Sequence, residues 1–155
     1  MLAKLRRYGL SPKETMLTSL LALSAGGMLY LLFRPRGLVL FRAVDRVGLT
    51  DTVDAMRRAA SATDLPEWVV YCLPNGLWSL AYVLIAAMLM RGRTLPARLA
   101  VAGIIPVVGI VSELMQRVGL LRGTFDWGDV AAYALPFVIY LIIKVLIYSK
   151  NEVYK

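Results

Sequence analysis

The sequence predicts an all-α membrane protein: a bundle of about four transmembrane helices with short amphipathic helices in the first external loop. Three observations predict it. Of the 155 residues, 59% are hydrophobic and the mean hydropathy is +0.65, more apolar and less charged than a soluble domain of this length. Several apolar runs approach the roughly 20 residues needed to cross a hydrocarbon core of about 30 Å. The basic residues behind the net charge of +8 sit at the ends of those runs, which membrane orientation explains better than nucleic-acid binding. The length suits one membrane domain, residues 1–155.

The first span is expected over about 16–33, behind the basic start MLAKLRRYGLSPK. Ser24, Ala25, Gly26 and Gly27 resemble a signal-peptide cleavage region, but the run continues through MLYLLF to a charged RPR stop, so it reads as a retained span. The second is expected over about 75–90. Pro74, Asn75 and Gly76 interrupt its beginning, so WVVYCL is either a short interfacial helix leading in or an earlier start of the span. The third covers about 95–115 and the fourth about 127–147.

Between the first two spans, residues 34–67 form the external loop with interfacial helices. Leu40, Phe41, Val44 and Val47 share one helical face. Asp51 followed by Asp54 resembles a capping box, and Asp64 followed by Glu67, with Pro66 between, looks like another helix start.

Charge orients the bundle. Lys4, Arg6, Arg7 and Lys13 lie before span one, Arg91, Arg93 and Arg98 between spans two and three, and Lys144, Lys150 and Lys155 at the carboxyl end. The opposite loops are balanced, so the positive-inside rule puts both termini in the cytoplasm and requires an even number of spans.

Missing residues narrow the chemistry. There is no His, and Cys72 is the single cysteine, which excludes Ser-His-Asp and Cys-His mechanisms, an internal disulfide and any multi-cysteine zinc site. Carboxylates, Tyr, Lys or Arg would have to carry any catalysis. No metal, cofactor or nucleic acid is expected, and the balance leans away from an enzyme.

The polar junction Ser112–Tyr133 is the main functional candidate, because ionisable groups at membrane depth are expensive and mark a site or a helix contact. Glu113, Gln116 and Arg117 fall on one helical face. They present a carboxylate and an amide to a head group, with Glu113 as a possible acid or base, or else form an intrahelical Glu–Arg pair with Gln116 satisfying a neighbour. Asp126 reads first as a helix cap, with Asp129 completing the box. Asp129 lies a turn into the span, with Tyr133 four residues on, and is the better site residue. Arg122 suits a lipid phosphate or an acid partner. Asn75 and Trp78 on the same side could close one wall, although Trp68, Trp78 and Trp127 also read as interfacial aromatics. Arg34 and Arg36 read as topological anchors, or else as added positive charge for an anionic head group. Gly26, Gly27, Gly103 and Gly109 read as close-packing positions, and Cys72 as inert filler rather than a nucleophile.

The stretch ELMQRVGLLRGTFDWGDVAAYALP resembles the carboxyl-terminal signature of VanZ-like membrane proteins, with a Glu and Gln ending one span, a turn rich in Arg and Gly, and an Asp opening the next. The resemblance covers roughly residues 70–148. It carries over Glu113, Gln116, Arg122, Asp129 and Asp126. The chain departs from it in lacking the His-containing segment and in placing Tyr133 where an Asn is usual. What it implies is a small multi-pass protein of the bacterial inner membrane, tied to the cell envelope and glycopeptide antibiotic resistance.

The leading expectation is a protein that binds an amphiphilic envelope molecule, a lipid or lipid-linked precursor, at an outer-leaflet site. Its residues would be Asn75, Glu113, Gln116, Arg117, Arg122, Asp126, Asp129 and Tyr133. The alternatives are a structural or accessory subunit of a membrane complex, or a small channel, transporter or membrane-disrupting effector acting as a homo-oligomer.

Overall fold

The structure, a computed structural model, describes residues 10–37 and 39–153. These residues form seven helices and, among them, no strand: α1 (Pro12–Phe33), α2 (Val39–Arg46), α3 (Thr50–Ala60), α4 (Glu67–Tyr71), α5 (Leu73–Leu89), α6 (Leu95–Arg117) and α7 (Trp127–Val153). Three helical segments are long and apolar enough to cross a membrane: Pro12–Phe33, Leu95–Arg117 and Trp127–Val145. Leu73–Leu89 is a shorter apolar helix. Lys4, Arg6, Arg7 and Lys155 of the charge asymmetry lie outside the described residues, as does the side chain of Lys150.

Helix α1 begins four residues before the expected Met16, and its start is chemical rather than hydrophobic. The Glu14 amide donates to Ser11 Oγ at 3.2 Å, and the Ser11 amide donates to Glu14 Oε2 at 2.7 Å. This capping box, with Pro12 in the first turn, satisfies two orphan donors and contributes about 1 kcal/mol. The signal Ser-Pro-Lys-Glu was present in the sequence and was overshadowed by the apolar run behind it.

Helix α5 begins at Leu73, two residues before the expected start. Pro74 falls in its first turn, where no amide donor is needed, so the proline starts the helix instead of breaking it. The preceding WVVY segment forms the separate short helix α4. Helix α5 is the centre of the bundle and packs against α1, α6 and α7. Small residues allow this: Ser79, Ala81 and Ala86 are buried along it. Its lower half meets α6 and α7 in a core of Val83, Ala86, Ala102 and Tyr140.

The helices alternate in direction. Arg91 Nη2 donates to the Leu10 carbonyl at 2.6 Å, so the start of α1 and the end of α5 share one end of the bundle. Arg34 Nη2 donates to the Tyr71 carbonyl at 2.7 Å at the opposite end. Buried positions of α6 (the neighbours Ala102 and Gly103, then Pro106, Gly109 and Glu113 at steps of three or four) form one stripe. Gly109 admits the ring of Tyr133, and Gly103 admits Phe137. Gly26 admits Trp78 in the same way, whereas Gly27 faces open space. Prolines 106 and 136 lie inside α6 and α7 without ending either helix.

The segment after α1 folds back over its end. Phe41 and Val44 pack with Val53 against Leu31, while Leu40 and Val47 are exposed, so half of the expected apolar face is used. Two expected caps are absent. Helix α3 starts at Thr50 behind Leu49 with no side-chain cap, so Asp51 falls inside its first turn, and Asp54 pairs with Arg36. Helix α4 starts at Glu67 behind Pro66, and Asp64 makes no cap. Arg57 donates to the Leu31 carbonyl, one of the acceptors left free at the end of α1.

Candidate functional site

Helices α5 and α7 run parallel in a fixed register. Cys72 Sγ lies 3.7 Å from Asp126 Oδ2, Asn75 Nδ2 donates to Asp129 Oδ1 at 2.9 Å, and Ser79 Oγ donates to the Tyr133 carbonyl at 2.9 Å. The steps of three and four residues on both helices are those of one helical face. Each pair places a polar group of α5 or its N-cap opposite one of α7 or its N-cap, and the series begins where both helices begin.

Asp126 caps α7, as expected. Its Oδ1 accepts from the Gly128 amide at 2.7 Å. The expected completion of the box by Asp129 does not occur. The Asp126 amide is directed instead at Glu113 Oε2 on α6, at 3.4 Å. An acid from a neighbouring helix thus stands where the third residue of a local box would stand, and Asp129 is left to accept from Asn75. Glu113 Oε1 accepts from Gln116 Nε2 at 3.1 Å. Glu113 is 6% exposed and Asn75 9% exposed, so both lie inside the end of the bundle.

These side chains line a cavity of about 550 Å³, together with Gln116, Arg122, Asp126 and Asp129. Tyr30, Tyr71, Thr124 and Phe125 on its wall were not singled out from the sequence, and Arg34, read as an anchor or as added positive charge for a head group, also lines it. Arg34 is set between two rings, 5.6 Å from the centre of Tyr30 and 4.7 Å from that of Tyr71, a geometry that favours a cation. No periodicity marks this group, since it comes from the end of α1 and from α4. The RPR motif after an apolar run was its one visible trace.

Two expected site residues lie elsewhere. Arg117 turns toward Phe125 and Trp127, 5.2 and 5.5 Å from their ring centres. It does not pair with Glu113, because both ion pairs among the described residues belong to Arg36. Tyr133 is not on the cavity wall; its ring fills the space over Gly109. Trp78 likewise packs between helices, 5.5 Å from the Tyr30 ring centre, while Trp68 and Trp127 are exposed. The turn before α7 needs its glycines: Gly123 has φ 148°, and a side chain there would meet Gln116.

Electrostatically the cavity is mixed. Glu113, Asp126 and Asp129 face Arg34 and Arg122 across it. Cys72, against Asp126, is a poor nucleophile, because burial and then the nearby carboxylates of Asp129 and Asp126 push its thiol up to about 12. Among the described residues no group of three His, Cys, Asp or Glu is disposed to hold a metal ion. The arrangement offers donors and acceptors to a polar ligand. Comparison with protein-family models, with curated proteins and with solved structures finds no match for this chain.

Proposed function

We propose that this chain is a four-span protein of the bacterial inner membrane, VanZ-like in kind, that binds the head group of an amphiphilic envelope molecule at the outer leaflet. Helix α5 is the fourth span. Its 17 residues rise about 26 Å, and its place among α1, α6 and α7 spares it most contact with lipid. The basic residues Lys13, Arg91, Arg93, Arg98 and Lys144 fall at the end that also holds the start of α1 and the carboxyl end of α7, which the positive-inside rule assigns to the cytoplasm. The cavity then opens on the outer side.

The observation that carries the reading is the cavity of about 550 Å³ around the buried carboxylate of Glu113. A buried ionisable group in such a setting is expensive and is retained for a partner.

Native mass spectrometry of the purified protein in envelope-lipid nanodiscs tests this. The wild type should retain a lipid adduct that Glu113→Gln loses while its melting temperature stays within a few degrees. Equal adducts in both proteins would sink the reading. The cross-helix bonds Asn75–Asp129 and Asp126–Glu113 favour a second reading, in which the junction locks helices. In that case the wild type carries no adduct and Glu113→Gln melts far lower.

A further inference from the structure

The polar cavity continues beyond its carboxylates. Tyr71 and Asp126, on its wall, also line a smaller cavity of about 370 Å³ with Cys72 and Gly128. Cys72 and Gly128 in turn head an apolar groove of about 520 Å³ between α5 and α7. On α7 the groove runs from Gly128 to Ile139. That helical length is about 16 Å, close to one leaflet of a bilayer, half of a hydrocarbon core of about 30 Å. Leu135 and Ile139 on its flank are exposed, so it opens sideways toward the lipid.

The charges above the groove select a head group. Three carboxylates and two guanidiniums line the polar cavity, so a simple anion meets more repulsion than attraction and a simple cation leaves the guanidiniums without an anion. Arg34 has a particular deficit: its Nε is buried with no acceptor, and neither ion pair among the described residues involves it. A phosphate supplies that acceptor in two-pronged form. Asp129 and Glu113 each spend lone pairs on neutral amides and retain capacity for a charged N–H donor.

We infer that the site takes a zwitterionic phospholipid with a primary ammonium, its phosphate against Arg34 and Arg122, its ammonium against Asp129 and Glu113, and one acyl chain in the α5–α7 groove. This rests on the lipid-binding reading above and specifies its ligand. A quaternary ammonium lacks the N–H donors, and a glycerol head lacks the cation. The occupant is a lipid rather than a helix of a second copy, because the groove joins the polar cavity through Cys72, Asp126 and Gly128.

The test uses the full chain in detergent with three lipids of identical chains: phosphatidylethanolamine, phosphatidylcholine and phosphatidylglycerol. Native mass spectrometry should show phosphatidylethanolamine retained at least tenfold over the other two. Ala131 is exposed on the groove wall, so Ala131→Phe fills the groove from outside. It should lower the ratio of long-chain phosphatidylethanolamine to soluble glycerophosphoethanolamine bound by at least tenfold. Leu135→Trp, at a second exposed wall position, does the same where Ala131→Phe fails to fold. Equal retention of the three lipids overturns the head-group assignment, and an unchanged ratio in both variants overturns the groove. Loss of a dimer mass in those variants, with lipid retained, gives the groove to a second copy. In each of these cases a wild-type adduct lost in Glu113→Gln leaves the broader reading standing, and no adduct at all removes both.

Discussion

Asn75 donates to Asp129 at 2.9 Å from a position 54 residues earlier in the chain, and the same offset recurs one turn to either side at Cys72–Asp126 and Ser79–Tyr133. The bond is one rung of a parallel helix pair, and exchange of its ends tests it. Asn75→Asp sets two carboxylates against each other, which disfavours ionising both, and should destabilise the protein by about 1–3 kcal/mol. Adding Asp129→Asn restores one amide facing one carboxylate and should recover most of the loss. Thermal melting in a single detergent reads both. A double variant no more stable than Asn75→Asp alone would mean that the two side chains are not partners.

Glu113 accepts from two donors on two elements, the Gln116 amide and the backbone of Asp126. Glu113→Gln keeps the shape and one acceptor oxygen, and should cost about 0.5–1.5 kcal/mol. Glu113→Ala leaves both donors unpaired in a buried place and should cost more, about 1–3 kcal/mol. Hydrogen exchange locates the effect: the Asp126 amide should exchange faster in Glu113→Ala than in Glu113→Gln. Equal protection in both would show that Asp126 finds its acceptor elsewhere.

Much of the frame could be read from the sequence because hydrophobic runs and prolines act locally. Helices α6 and α7 start at the expected Leu95 and Trp127, and Glu113, Gln116, Arg122, Asp126, Asp129 and Asn75 all reach one cavity. The failures share a cause. Asp54 had the spacing of a cap but found Arg36, Arg117 had the spacing of a partner for Glu113 but found two aromatic rings, and Asp129 was replaced in its box by an acid thirteen residues before Asp126. In each case a tertiary neighbour outcompeted a local one. Tyr30 and Tyr71 were hidden for the same reason, since their place beside the cavity depends on how α4 packs against the end of α1.

Gly109 and Gly27 form a matched pair for testing helix packing. A methyl group at Gly109 would stand 2.5 Å from the Tyr133 ring, while at Gly27 nothing lies within 4 Å. The contact at Gly109 is to the body of a ring, which cannot bend away. Gly109→Ala should therefore destabilise by about 1–3 kcal/mol through overpacking. Gly27→Ala should be neutral or stabilise by up to about 1 kcal/mol, since alanine is the better helix former. Equal effects of the two substitutions on melting would contradict the close approach of α6 and α7.

Cys72 gives a readout of the site's charge without any ligand. Its thiol is pushed up to about 12 from an ordinary 9.0, by burial first and then by Asp129 and Asp126. Only the thiolate reacts with iodoacetamide. At pH 8 a thiol at 9.0 is roughly one-tenth ionised and one at 12 roughly one part in ten thousand, so native protein should be alkylated about a thousandfold more slowly than detergent-unfolded protein. The rate should keep rising through pH 10, where an ordinary thiol has levelled off. The sign also fixes the stability effect: the folded state holds this proton more tightly, so its contribution is complete below about pH 9 and declines as pH climbs toward 12. Asp126→Asn removes one nearby charge yet keeps a side chain able to cap α7, and should speed alkylation while leaving the melting temperature nearly unchanged. A native rate within tenfold of the unfolded one would show that Cys72 is not held by burial beside these carboxylates.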